Sequence, residues 1–160
     1  MRPRLWQPLV PLSPAEATVV RRIQRAKLFI FLRQQRHVLF SADFQAELAT
    51  ALYADKPKGQ PPLPPARLAL ATILQAYTGV SDDEVIEATT MDRRWQLVLD
   101  CLDVEEPPFS KATLQAFRRR LPQMRTHADA PFLPPPRGRS PADHIAPGAA
   151  IPLRTTLPAL

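Results

Sequence analysis

The chain of 160 residues has one cysteine, four glycines and an aromatic content of 7%. A single cysteine, Cys101, excludes an internal disulfide and any cysteine-built metal site, and it suits a reducing, cytoplasmic compartment. Scarce glycine goes with the absence of a glycine-rich phosphate loop. Long apolar runs are also missing. The longest near the N-terminus, Leu28 to Leu32, has five residues, against the roughly 20 that span a bilayer. The opening Met1-Arg2-Pro3-Arg4 leads into prolines and a tryptophan rather than an apolar core, so no signal peptide is expected. Alternation is weak and β-branched residues do not cluster, so no strand is expected either. The predicted class is all-α.

What is present is apolar mass, proline and positive charge. Hydrophobic residues make up 45% of the chain, enough for the core of one domain. Net charge is +6 and unevenly spread. Residues 1–40 hold eight bases and one acid, residues 41–70 balance, residues 71–110 hold nine acids and two arginines, and residues 111–160 hold eight bases and two acids. A basic head and tail around an acidic middle fits a polyanion touched by two surfaces, or an acidic segment that pairs with the arginines internally.

The helix signals are local. Ser13-Pro14-Ala15-Glu16 reads as a capping box with proline at the first helical position. Behind it, Val19, Ile23, Ala26 and Ile30 form one stripe of a single helix, with Arg21, Arg22, Arg25 and Arg36 on the other side. Ser41 opens a second helix ending near Asp55, and Lys56 to Pro62 is a loop. Ala66 to Thr78 is apolar all round, which predicts burial, and Gly79 provides a left-handed cap. Ser81 to Glu84 starts another helix, followed by a short segment around Asp92 to Leu99. Ser110 caps a last helix, Lys111 to Leu121, which Pro122 is expected to stop. The organisation predicted is an irregular leader over 1–12, a helical domain over 13–121 with helix-turn-helix-like pairs, and a disordered proline-rich tail over 122–160.

Few residues suggest chemistry. Carboxylates at Asp82, Asp83, Glu84 and Glu87, at Asp100 and Asp103, and at Glu105 and Glu106 could in principle hold Mg²⁺, yet they read as a helix cap and a solvated turn. His37, His127 and His144 are too far apart to form a metal motif. Cys101 and Trp95 read as core. No catalytic residue, metal or cofactor is assigned, nor any small-molecule substrate or membrane contact. The last helix is more informative. Leu114, Phe117 and Leu121 form its buried stripe, while Lys111, Gln115, Arg118 and Arg119 form a polar strip able to neutralise phosphates and read base edges. The first-turn amides from Ser110 to Thr113 could also take a phosphate. The alternative is a surface helix paired with Asp100, Asp103 or Glu105. Arg93 and Arg94 pose the same choice. Arg21, Arg22 and Arg25 are a second set of candidate phosphate contacts.

One family likeness rests on several blocks taken together. They are Pro64 to Glu84 (PPARLALATILQAYTGVSDDE), Asp92-Arg93-Arg94-Trp95, Leu99-Asp100-Cys101-Leu102, Pro108-Phe109-Ser110-Lys111-Ala112-Thr113-Leu114 and Phe117-Arg118-Arg119-Arg120-Leu121. In order and spacing they resemble the N-terminal domain of bacterial insertion-sequence transposases, the InsH N-terminal or IS5-like group. The closest likeness covers about residues 60–121, and residues 1–55 look like the leader of one subgroup. The resemblance implies terminal-inverted-repeat DNA as partner, or a role in transposase assembly. In that family, cutting belongs to a later RNase H-like domain with three metal-binding carboxylates, and no position here matches them. The expectation is therefore a truncated transposase fragment that binds DNA without nuclease activity. Two other readings stay open: an interaction module that pairs with itself or with a full-length transposase, and a decayed frame with no selected role.

Overall fold

Serine and proline punctuation places the helices of the computed structural model, which describes residues 2–53 and 62–125, and of residues 123–125 the backbone alone. Among the described residues there are seven helices and no strand. Helix α1 (Pro14–Arg22) carries the expected capping box: Ser13 Oγ accepts from the Glu16 amide, and Glu16 accepts from the Ser13 amide. A tight connection leads to α2 (Lys27–Leu39), and Ser41 caps α3 (Ala42–Leu52). Pro65 starts α4 (Pro65–Thr78), and Gly79 closes it at φ 73°. Ser81 opens α5 (Asp82–Met91) with a second capping box, and Asp92 caps α6 (Arg93–Leu99). The last helix is α7 (Lys111–Arg125).

Four expectations need correction. The first helix is two. Ile23 to Ala26 turns between α1 and α2, with the Ala26 amide donating to the Ile23 carbonyl at 2.7 Å. Val19 and Phe29, both buried, would lie about 80° apart around one straight helix at 100° per residue. The break lets each helix bury its own face. Arg36 is not on an outer face, being 1% exposed. Phe29, Leu32, Arg33 and Arg36 stand at i, i+3, i+4 and i+7, so two arginines take core positions of α2. The second helix ends at Leu52, with Tyr53 extended as its cap, ahead of the expected Asp55. Finally, α7 continues through Pro122 to Arg125. A proline forfeits one helical bond, but its own φ is helical, so a last turn can follow. The expected loop from Lys56 onward and the expected tail lie outside the described residues, except Pro62 and the end of α7.

The short α6 is the centre of the core. It packs against α1, α2, α4 and α5, and Trp95 through Leu99 are all buried. Cys101, just beyond it, is buried as well, and burial raises its thiol pKa. Helix α4 contributes Leu68, Leu70, Ala71 and Leu74, yet Ile73 and Tyr77 stay exposed, so its all-round apolar character does not translate into complete burial.

Burying the end of α6 strands its last carbonyls. Two arginines from other helices take them. Arg36 Nη1 donates to the carbonyls of Leu97 and Val98, both at 3.0 Å, and Nη2 donates to Asp100 Oδ1 at 3.2 Å. Arg67 Nε donates to the Leu99 carbonyl at 3.0 Å. Asp100 itself sits in the left-handed region, φ 57°, which aspartate enters more readily than most residues. Arg33 pairs in a fork with Glu16 and also reaches the Pro11 carbonyl. Burial pushes the Glu16 carboxyl up, but the Arg33 bond and the Ser13 amide outweigh it, and its pKa falls below the ordinary value. Burial likewise lowers Arg36, to about 10, still charged at neutral pH.

The N-terminal segment is without helix, as expected, but it is tied down. Trp6 stacks under Arg36, ring centroid 5.2 Å away, and its indole donates to Asp100 at 3.3 Å. Gln45 grips the Trp6 backbone in both directions, at 2.7 and 2.8 Å. Replacing Arg36 by Met leaves two helix-end carbonyls without their donor and the Asp100 carboxylate with the Trp6 indole alone, and is expected to cost about 3–5 kcal/mol in urea unfolding. Gly79→Ala is expected to cost about 1–2 kcal/mol, because nothing blocks the new Cβ and only the positive φ opposes it.

Candidate nucleic-acid interface

The candidate cations fall into two groups by what holds them. On α7, Leu114 and Phe117 are buried against the body and turn the polar strip toward the start of α5. There the first-turn acids of α5 take it up. Arg118 Nη2 donates to Asp82 Oδ2 at 2.6 Å, and its Nη1 donates to Gln75 Oε1 at 2.9 Å. Gln115 donates to Asp82 at 2.9 Å, and Lys111 Nζ sits between both oxygens of Asp83 at 2.9 and 2.8 Å. Gln75 donates to Asp82 Oδ1 at 2.9 Å and so joins α4 to the network. Lys111, Gln115 and Arg118 are therefore engaged within the chain, by Asp82 and Asp83 rather than by Asp100, Asp103 or Glu105, the acids named in the alternative reading. Hydrogen bonds from Gln75, Gln115 and Arg118 hold the Asp82 carboxyl down to about 2.

The other α7 arginines differ. Arg119 is exposed, and no hydrogen bond or ion pair engages its side chain among the described residues. Arg120 stacks over Tyr53 at 5.4 Å. At the first turn of the helix, the Thr113 amide is already taken by Ser110 Oγ at 3.2 Å.

The second group surrounds the connection between α1 and α2. Arg21 is exposed and bonds only locally, to Thr18 Oγ1 at 3.0 Å. Arg22 and Arg25 are exposed, with no hydrogen bond or ion pair to their side chains among the described residues. They line an open cleft of about 610 Å³ together with Phe29, Tyr77 and Arg94. Arg94 lies over the Phe29 ring at 5.3 Å and is neutralised by Asp92 at 2.6 Å. Arg93 pairs with Asp103 in solvent. The structure thus brings Arg22 and Arg25 to one cleft. It gathers Lys111, Gln115 and Arg118 at another place and joins Arg119 to neither group. The sequence reading missed Tyr77 as a site residue because it took the whole of α4 as core. Among the described residues no cluster of three His, Cys, Asp or Glu could hold a metal ion.

Comparison with protein families decides the wider question. The family model described as Transposase domain (DUF772) matches residues 20–120. The chain belongs to this family. The match runs from the end of α1 to α7, so the transposase domain includes Arg33, Arg36, the Asp82 network and the cleft lined by Arg22 and Arg25. No curated protein and no solved structure matches the chain significantly. Among the described residues no helix is long and apolar enough to cross a membrane.

The depressed Asp82 fixes the sign of a pH effect. A carboxylate held below its unfolded value stabilises the fold above about pH 4, and that stability is lost as pH falls toward 2. Between those limits Asp82→Asn is expected to flatten the acid loss of stability relative to the unaltered domain. Urea midpoints taken at pH 5, 4 and 3 check this, and parallel losses in the two proteins would refute it.

Proposed function

We propose that this transposase domain binds DNA during transposition, at the ends of a mobile element, with Arg22, Arg25, Arg21 and Arg119 as its phosphate contacts. The observation that carries the reading is the sorting of arginines within a transposase-family domain. Arg33, Arg36 and Arg118 are consumed by internal acids, whereas Arg22, Arg25 and Arg119 are exposed and have no acid to neutralise them among the described residues. Exposed cations without counter-charges attract a phosphate backbone and release its counter-ions. Lys111, Gln115 and Arg118 join the contact only where DNA displaces Asp82 and Asp83, so they are secondary in this proposal. The chain's own acids would then compete with phosphate, which keeps non-specific binding weak.

A second reading has its own support. Helix α2 exposes Phe31 and Val38, at 51% and 61%, seven residues apart on one face. Such a stripe suits assembly with another copy or with a longer transposase. Light scattering at tens of micromolar separates the readings, since a monomer at that concentration counts against assembly.

Gel-shift titration with duplex DNA from the element ends, at several salt concentrations, tests the first reading. Affinity is expected to fall steeply with salt, by roughly 0.9 in log–log slope for each phosphate engaged, and Arg22→Gln with Arg25→Gln should lower the slope by about 2. Binding that ignores salt, or no binding, contradicts it.

A further inference from the structure

We propose that the cleft between the α1–α2 connection and the end of α4 takes an unpaired nucleotide of single-stranded DNA, its base stacked on Tyr77 and its flanking phosphates held by Arg22 and Arg25. The proposal rests on the DNA-binding reading above and specifies which form of DNA this cleft selects.

Tyr77 carries the argument. A large aromatic at the last turn of an otherwise core-forming helix is expected to be covered, yet it is 64% exposed. With more than half its surface open, at least one ring face is free. The ring is nevertheless not loose. Phe29, itself 3% exposed, meets it in an edge-to-face contact, centroids 6.4 Å apart at 77°. Arg94 lies on the ring of Phe29, so the pair is braced from behind. A braced aromatic with an open face is the platform on which bases stack, without regard to sequence.

Charge decides the occupant. Arg94 is cancelled by Asp92, so among the described residues the uncompensated charge at the cleft lies on Arg22 and Arg25. These stand three residues apart, Arg22 at the last position of α1 and Arg25 within the connection to α2, whose backbone is held by the Ala26–Ile23 bond. Two free guanidiniums beside an open ring suit a ligand that is both anionic and flat. The volume, about 610 Å³, falls within the range of small-molecule sites and leaves room for a nucleotide. A base paired within a duplex cannot present its face to Tyr77. An unpaired one can.

Fluorescence anisotropy on the full chain provides the test, with a labelled oligothymidine strand, the same strand carrying abasic sites, and a blunt duplex of equal length. Tyr77→Ala is expected to weaken binding of the oligothymidine by roughly 5- to 100-fold, the abasic strand should show a comparable loss with the unaltered protein, and Tyr77→Phe should restore affinity. Duplex binding should be unaffected by either Tyr77 variant. Circular dichroism confirms that the variants fold, which the exposure of Tyr77 favours. If Tyr77→Ala leaves oligothymidine affinity unchanged, or if the abasic strand binds as tightly as the intact one, the proposal is overturned while duplex binding can stand. If neither strand nor duplex binds, both readings fall.

Discussion

Arg36 is the residue on which the arrangement of helices depends. It is a charged side chain at a core position, and it survives there because three kinds of partner converge on it. The end of α6 offers two carbonyls, Asp100 offers a carboxylate, and Trp6 offers the face of a ring. Glu16, with Arg33 beside it, adds a second acid at 3.7 Å. A buried helix end is costly when its carbonyls stay bare. Here the bare end and the buried cation offset each other through Nη1 and Nη2, while Arg36 Nε stays buried without a hydrogen-bond partner among the described residues. The cluster joins the N-terminal segment, α1, α2 and α6 around one point. Such a joint stabilises less than an equal volume of hydrocarbon would, but a misplaced helix would leave a charge stranded. The gain is in the choice of one arrangement over others.

The same logic operates more weakly at the C-terminal end of α4. Asp82 begins α5, where the helix dipole favours an acid, and it collects Gln75, Gln115 and Arg118 from two other helices. That network sets how α7 lies on the body. It also means that much of the basic character of α7 is already spent on the chain itself. Net charge therefore overstates the cations this domain has free for a partner. What counts is which ones lack an acid, and among the described residues these include Arg22 and Arg25 at the α1–α2 connection, with Arg4 and Arg119 apart from them.

Local signals in the sequence were legible where the physics is local. Ser13 and Ser81 cap their helices through short contacts, and Gly79 takes the left-handed turn because no other residue does so as cheaply. The buried stripe of α7 follows from period alone. Two kinds of fact were hidden. The spacing of Phe29, Leu32, Arg33 and Arg36 is a core pattern, but arginine at two of its four positions reads as surface until a stranded helix end is known to meet it. The acid that holds Arg118 and Gln115 lies more than thirty residues away in sequence, at Asp82. Nothing in a linear pattern distinguishes Asp82 from the nearer Asp100, which α6 had already committed to Arg36. The turn at Ile23 to Ala26 has no glycine or proline to announce it, and it arises from packing.

The account divides the arginines into struts and free contacts, and one paired measurement tests that division directly. Single Arg→Gln changes at positions 22, 25, 33, 36 and 119 would each be scored for thermal midpoint and for the salt slope of DNA binding. The division predicts that positions 33 and 36 lower the midpoint sharply, while positions 22, 25 and 119 leave it unchanged and each reduce the slope by about 1. A slope that stays intact when 22, 25 and 119 are neutralised, or a midpoint that ignores the loss of Arg36, would contradict it.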